Sequence, residues 1–96
     1  MLAAVRGEIW FTEVGGLVSR KTKSKLAFPE SAHHAAAATK WMFQLTQISP
    51  RIGRLYVYNW NAQVGDLWDS ALIGPTGNPR PAFEVLKREV AVHALR

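Results

Sequence analysis

Two β-prone runs, each followed by a loop and a helix-prone segment, constrain the fold of this chain more than any other feature. The first run lies between Gly7 and the Gly15-Gly16 pair, and the second is rich in aromatic residues. A strand, a crossover helix and a second strand nearly always connect right-handed with the strands parallel. The pattern therefore predicts an α/β fold with a βαβα order: strand 8–14, helix 30–48, strand 54–60 and helix 81–95.

The predicted helices have recognisable ends. Pro29 and Ser31 are typical of a helix start, and Pro50 ends the first helix because proline disfavours helical geometry in the residue before it. The 3.6-residue period predicts that one apolar face of this helix is buried. Its members are Ala38, Trp41, Leu45 and Ile48.

A sheet of two parallel strands is a poor fold by itself. Parallel strands normally lie inside a protein with helices on both faces, and here each strand would keep an unpaired edge. We therefore expect the 96 residues to be a piece of a larger α/β protein.

The net charge of +5 is concentrated in a short basic segment, Arg20, Lys21, Lys23 and Lys25. Such a segment could bind nucleic acid or another anionic ligand. It contains no aromatic residues for base stacking, so a solvated loop is the favoured interpretation, with no nucleic-acid partner.

Other classes of function lack a sequence signal. The chain has no cysteine, and His33 and His34 are adjacent, so on a helix they point about 100° apart and cannot chelate one metal together. The glycines form no nucleotide-binding motif, and no apolar run is long enough to span a bilayer. We predict no metal, no cofactor and no membrane partner.

Glu13 is the strongest candidate for chemistry. It lies near the end of the first β-prone run, two positions before Gly15-Gly16. In parallel α/β barrels the active site lies where the strands end.

Three segments, residues 9–16, 49–60 and 68–83, resemble the seventh strand, the eighth strand and the closing loop of the retaining (β/α)8 glycoside hydrolases, the cellulase-like superfamily. The resemblance covers nearly the whole chain but only about the last third of such a barrel. It implies that residues 1–96 are a partial (β/α)8 TIM-barrel domain.

The resemblance also implies roles. Glu13 would be the catalytic nucleophile, and Trp60 would line the sugar site with Trp68 as a further substrate-binding candidate. Retaining hydrolysis needs a second carboxyl roughly 5–5.5 Å from the first, and the strand that carries it in the family is missing. The isolated chain is therefore expected to be inactive, with a carbohydrate substrate and the missing barrel portion as its partners.

Strand alternation predicts which side chains share a face. Ile9 and Phe11 would fill the barrel interior on the same face as Glu13, and Tyr56, Tyr58 and Trp60 would share a face of the second strand. Trp10 and Trp41 are expected to pack between helices and strands. Plain packing competes with a sugar-site role for Trp60, and Trp68 could line the mouth or cover the loop.

A different class of function also fits the pattern. The chain could be a small noncatalytic α/β module that binds carbohydrate or protein through its strand edges and tryptophans.

Overall fold

Secondary structure begins soon after the first described residue. The structure, a computed structural model, describes residues 6–21 and 30–94. Its elements are β1 (Ile9–Val14), β2 (Ser19–Arg20), α1 (Ala32–Leu45), β3 (Ile52–Val57), β4 (Trp68–Asp69) and α2 (Pro81–Ala94), with a 3₁₀ turn at Thr46–Ile48 after α1.

The predicted βαβα order is confirmed for β1, α1, β3 and α2, and the structure adds two short strands, β2 and β4, that were not predicted. β1 and β3 pair in parallel, each followed by its helix, and the helices pack against each other. β3 begins and ends earlier than the predicted 54–60. The chain leaves the sheet because the carbonyls of Asn59 and Trp60 accept hydrogen bonds from residues 72 and 73, at 3.0 and 2.9 Å, instead of continuing the strand. The peptide bond between Tyr58 and Asn59 is cis.

The segment between β3 and α2 is more ordered than the long loop that the sequence predicts. Its β4 pairs antiparallel with β2, so that Ser19 lies opposite Asp69 and Arg20 opposite Trp68. Among the described residues these four strands form two separate two-stranded sheets and do not close a barrel.

The two faces of the β1–β3 sheet differ from the predicted alternation. Phe11 lies opposite Leu55 and Val14 opposite Val57, with an irregularity in register between Phe11 and Val14. The irregularity places Phe11 and Val14 on the same face and turns Glu13 away from it. The expectation that Ile9, Phe11 and Glu13 share one face is therefore wrong, because strict alternation does not survive a bulge.

Leu55 marks the face that the helices cover. It lines a cavity of about 490 Å³ together with Phe43 of α1 and Val90 of α2. The opposite face is open. There the guanidinium of Arg54 lies 4.6 Å above the ring of Trp10, so Trp10 does not pack between helix and strand as predicted.

Helix α1 begins where the sequence predicts. The hydroxyl of Ser31 accepts a hydrogen bond from the main-chain N–H of His34 at 2.9 Å and caps the helix. Pro29, the other predicted start signal, and residue 95, the predicted end of the last helix, lie outside the described residues.

The buried face of α1 is not the predicted one. The helix buries Ala35, Thr39 and Phe43, whereas Trp41 and Ile48 are exposed. The Thr39 hydroxyl donates to the Ala35 carbonyl at 2.8 Å, which satisfies it inside the core. Both sides of this helix are apolar, so its periodicity alone could not show which side the sheet covers.

The protein is a thin slab of 40 × 35 × 17 Å. Its accessible surface of 6789 Å² exceeds the roughly 5,500 Å² typical of a compact monomer of this mass. Within the described ranges, no helix is long and apolar enough to cross a membrane.

Candidate functional site

A pocket of about 290 Å³ lies where β1 and β3 end. Both strands run parallel, so the pocket occupies the edge at which α/β active sites usually lie. Its lining consists of Glu13, Val14, Gly15, Tyr58, Trp68 and Ser70. Two predicted site residues, Glu13 and Trp68, thus lie on one pocket although 54 positions separate them along the chain.

Two glycines allow the chain to turn at this pocket. A Cβ atom on Gly15 would lie 2.5 Å from the carbonyl oxygen of Tyr58, and one on Gly16 would overlap the Cα atom of Ala35. Real Cβ atoms do not approach backbone so closely. The Gly-Gly pair therefore lets the end of β1 contact both the end of β3 and the first turns of α1.

Trp68 reaches the pocket from β4. Main-chain hydrogen bonds fix the residues on either side of it: Lys21 donates to the carbonyl of Leu67 and Val18 donates to that of Asp69, both at 2.8 Å. The side chain of Trp68 remains 55% exposed. Of the two interpretations of Trp68, lining the mouth and covering the loop, this placement favours the first.

An ion pair stands next to Trp68. Arg80 donates from both terminal nitrogens to the Asp69 carboxylate, at 2.6 and 2.7 Å, and also to the carbonyl of Ala71 at 3.0 Å. The hydrogen bond from Arg80 holds the pKa of Asp69 below its usual value, with a smaller contribution from the N–H of Ala71, although burial opposes the shift. Asp69 is therefore ionised at neutral pH and does not serve as a proton donor.

Trp60 occupies a different position. Its ring meets Phe83 of α2 edge to face, with centroids 5.6 Å apart, and its side chain is 61% exposed. It does not belong to the lining of the pocket that contains Glu13. Of the three aromatic residues expected to share a strand face, Tyr56, Tyr58 and Trp60, only Tyr56 lies within the strand, since β3 ends at Val57.

The basic segment is only partly a solvated loop. Arg20 is buried: its main-chain N–H donates to the Glu30 carboxylate at 2.9 Å, and its Nε lies 3.7 Å from that carboxylate. Lys21 is exposed, whereas Lys23 and Lys25 lie outside the described residues. The prediction of a solvated segment is wrong for Arg20, because strand pairing draws this residue inward.

Glu13 is the pocket's one carboxylate among the described lining residues. Within residues 6–21 and 30–94, no group of three His, Asp or Glu side chains could hold a metal ion. Tyr58 and Ser70 also belong to the lining, although neither was predicted as a site residue. Strand alternation had placed Tyr58 on one face with Tyr56, whereas Ser70 reaches the pocket through long-range pairing that has no local signal.

No family profile matches the sequence, and no curated protein is significantly similar to it. The fold is similar to part of a GH2 beta-galacturonidase from Eisenbergiella tayi. In the structure bound to glycerol, the match has a TM-score of 0.67 at 16% identity and covers 86% of this chain and 17% of that one. In the structure bound to galacturonate, the match has a TM-score of 0.66 at 14% identity and again covers 86% of this chain and 17% of that one. At such identities the likeness shows the fold alone, and the chain spans less than a fifth of the beta-galacturonidase.

Proposed function

We propose that this chain is the C-terminal part of a retaining (β/α)8 glycoside hydrolase of the cellulase-like kind. Glu13 is the nucleophile, and Trp60 and Trp68 bind the substrate. The reaction is the hydrolysis of an O-glycosidic bond in a glycoside or polysaccharide. It requires the remaining strands of the barrel, so the isolated chain is inactive.

The position of Glu13 carries the proposal. Its carboxylate lies on a pocket at the C-terminal ends of two parallel strands, beside the exposed indole of Trp68. A carboxylate there can attack an anomeric carbon while an aromatic face supports the apolar side of the sugar ring. The likeness of the fold to part of a glycoside hydrolase supports the same conclusion.

The missing half of the chemistry must come from elsewhere. Retaining hydrolysis requires an acid/base carboxyl roughly 5–5.5 Å from the nucleophile. Asp69 is tied to Arg80 by two hydrogen bonds, and Glu8 precedes β1 at the opposite end of the strand. We therefore assign the acid/base group to a strand outside this chain.

The test requires the completed enzyme. The coding sequence upstream of Met1 is determined, the longer protein is expressed, and release of p-nitrophenol from p-nitrophenyl β-glycosides is measured. E13Q should lower kcat/KM by roughly 10³-fold or more, because the attacking carboxylate is lost while the shape is kept. D66N, which changes a carboxylate outside the pocket, is the matched control and should retain activity.

Chemical rescue separates a nucleophile from a structural carboxylate. In E13A, added azide should attack the anomeric carbon in place of the carboxylate and displace p-nitrophenolate, giving a glycosyl azide of inverted configuration. Full activity of E13Q, or a failure of azide to restore turnover to a folded E13A, would contradict the assignment.

A noncatalytic binding module is the second candidate. Three half-exposed aromatic side chains on β1, β3 and just beyond it, Trp10, Tyr56 and Tyr58, favour it. A monomeric chain that unfolds cooperatively without its missing strands would support the module over the fragment.

A further inference from the structure

We propose that Arg80 is a positioning residue: by holding Asp69, it fixes the indole of Trp68 as the platform on which a sugar ring stacks beside Glu13. This inference rests on the proposed function for the identity of its ligand, a single pyranose ring. It assigns the platform next to Glu13 to Trp68 and leaves Trp60, which does not line this pocket, to a different part of the substrate.

The strand that carries Trp68 has little support of its own. β4 contains two residues and pairs with a strand of two residues. Two-stranded pairs are marginal at best in water, even when they are longer. A half-exposed indole on such a strand needs a further restraint if it is to present one fixed face to a ligand.

The ion pair provides this restraint at Asp69, the residue that follows Trp68 in β4. Asp69 accepts two hydrogen bonds from Arg80 and a third from the N–H of Ala71, at 3.1 Å. Both charged side chains are largely buried, at 15% and 12% exposure. A two-pronged guanidinium–carboxylate contact fixes orientation as well as distance, so the residue after Trp68 cannot rotate or slide along β2 without breaking it.

The opposite side of the indole's strand is held as well. Arg20, which lies opposite Trp68 in the β2–β4 pair, is buried, and its main-chain N–H donates a hydrogen bond to the Glu30 carboxylate. The Ser70 hydroxyl donates to the carbonyl of Tyr58 at 3.3 Å and ties β4 to the end of β3. Trp68 is thus a half-exposed side chain on a backbone that is held from both sides.

The size of the pocket fits one ring. Its volume of about 290 Å³ lies at the lower limit of the roughly 300–1,000 Å³ found for drug-sized ligands. Two of its lining residues, Tyr58 and Ser70, carry hydroxyl groups, and a third, Trp68, carries an indole. This combination suits a sugar, whose ring has apolar C–H faces and a polar rim.

The first experiment asks whether Arg80 controls Trp68. The indole N–H signals of the ¹⁵N-labelled chain, at a concentration where it is monomeric, are assigned with single Trp→Phe variants. In R80Q, or in R80K if R80Q does not fold, the Trp68 signal should shift while that of Trp41 stays in place. Trp41 is the matched reference because it is 56% exposed, close to Trp68 at 55%, and lies on α1.

E84Q is the control variant, since it removes the exposed Lys87–Glu84 pair and should move neither the Trp68 nor the Trp41 signal. A variant that is only less stable would behave differently. All indole signals would stay in place while the chain is folded, and all would change together when it unfolds. If the Trp68 signal shifts no more than the Trp41 signal in a folded Arg80 variant, the positioning role is wrong.

The second experiment asks whether Trp68 is the platform, and it uses the unaltered chain. Methyl β-D-glucopyranoside is titrated, and the Trp68 signal should move while those of Trp60 and Trp41 do not. R80Q should bind this probe about three- to tenfold more weakly, as expected when an aromatic contact is misplaced. Movement of Trp60 without Trp68, or no response of Trp68, would overturn the proposal.

The inference and the proposed function fail separately. Indole signals and probe binding do not require turnover, whereas the role of Glu13 is read from hydrolysis by the completed enzyme. E13Q keeps the shape of the pocket, so its loss of activity with retained probe binding would support both.

Discussion

Gly15 and Gly16 set the direction in which the chain leaves β1. Neither lies in the left-handed region of backbone space, so their role is close approach rather than an unusual turn. Side chains at these positions would push Glu13 away from the end of β3. The position of Glu13, the proposed nucleophile, therefore depends on two glycines that have no reactive group.

G16A should destabilise the chain by about 3 kcal/mol, because its Cβ would meet the backbone of Ala35, which cannot move aside as a flexible side chain could. G74A is the matched control: its nearest neighbour would lie at an ordinary 3.5 Å, and the change should stay below about 1 kcal/mol. Urea unfolding followed by circular dichroism measures both, and equal effects would contradict the close contact.

The Asp69–Arg80 pair should make stability depend on pH. The pKa of Asp69 is lowered from 3.8 in the folded chain, so its contribution is fully present above that value and is lost as the pH falls through the folded pKa. D69N lacks this contribution. The difference in unfolding free energy between wild type and D69N should be greatest at neutral pH and shrink below about pH 4.

Urea titrations at pH 7, 4, 3 and 2 test this expectation. E84Q serves as the control because its carboxylate is exposed, and its difference from wild type should stay small throughout. If the difference in unfolding free energy between wild type and D69N does not become smaller on acidification, the ionised form of Asp69 does not stabilise the fold.

At the scale of elements, α1 shows what a periodic pattern can and cannot decide. The helix has apolar residues on two sides, and the sheet covers the side with Ala35 and Phe43. The other side, around Trp41, borders a shallow apolar depression of about 380 Å³. A neighbouring helix of a larger barrel would account for an apolar surface at that position.

F43A and W41A form a matched pair for this helix. F43A should cost about 3–5 kcal/mol because it removes a buried ring, whereas W41A should cost less than about 1 kcal/mol in the isolated chain. Urea unfolding measures both. A larger loss for W41A would mean that the face predicted from sequence periodicity is the buried one after all.

The same elements show which features of the fold could be predicted from the sequence. Local signals predicted the βαβα order, the Ser31 cap and the start of α2 at Pro81, since each depends on neighbouring residues. The β2–β4 pair was not predictable, because two residues have no measurable period and their pairing spans about 50 positions. For the site, Glu13 and Trp68 were predicted, but their shared pocket depends on that long-range pairing.

At the scale of the whole molecule, the protein is too thin to cover both faces of its parallel sheet. A thickness of 17 Å allows one layer of helices on one layer of sheet, which leaves the second face of β1 and β3 open. Parallel strands are almost always covered on both faces. The slab therefore behaves, in our expectation, as one side of a larger α/β core.

The isolated chain should consequently bind the dye ANS and associate as its concentration rises, since open edges and apolar faces favour both. Fluorescence and sedimentation velocity measure these properties. The longer protein, with the upstream strands present, should show neither. A chain that stays monomeric and excludes ANS would instead support the binding module.

The contact between Arg54 and Trp10 limits what can cover the open face. A covering segment that buried this guanidinium would strip it of water, and the ring of Trp10 and the hydroxyl of Tyr56 replace only part of that hydration. The covering segment must therefore bring an oxygen acceptor to Arg54. The sheet thus selects its neighbour by polarity as well as by shape, and the emission of Trp10 offers an optical signal for the moment when that neighbour docks.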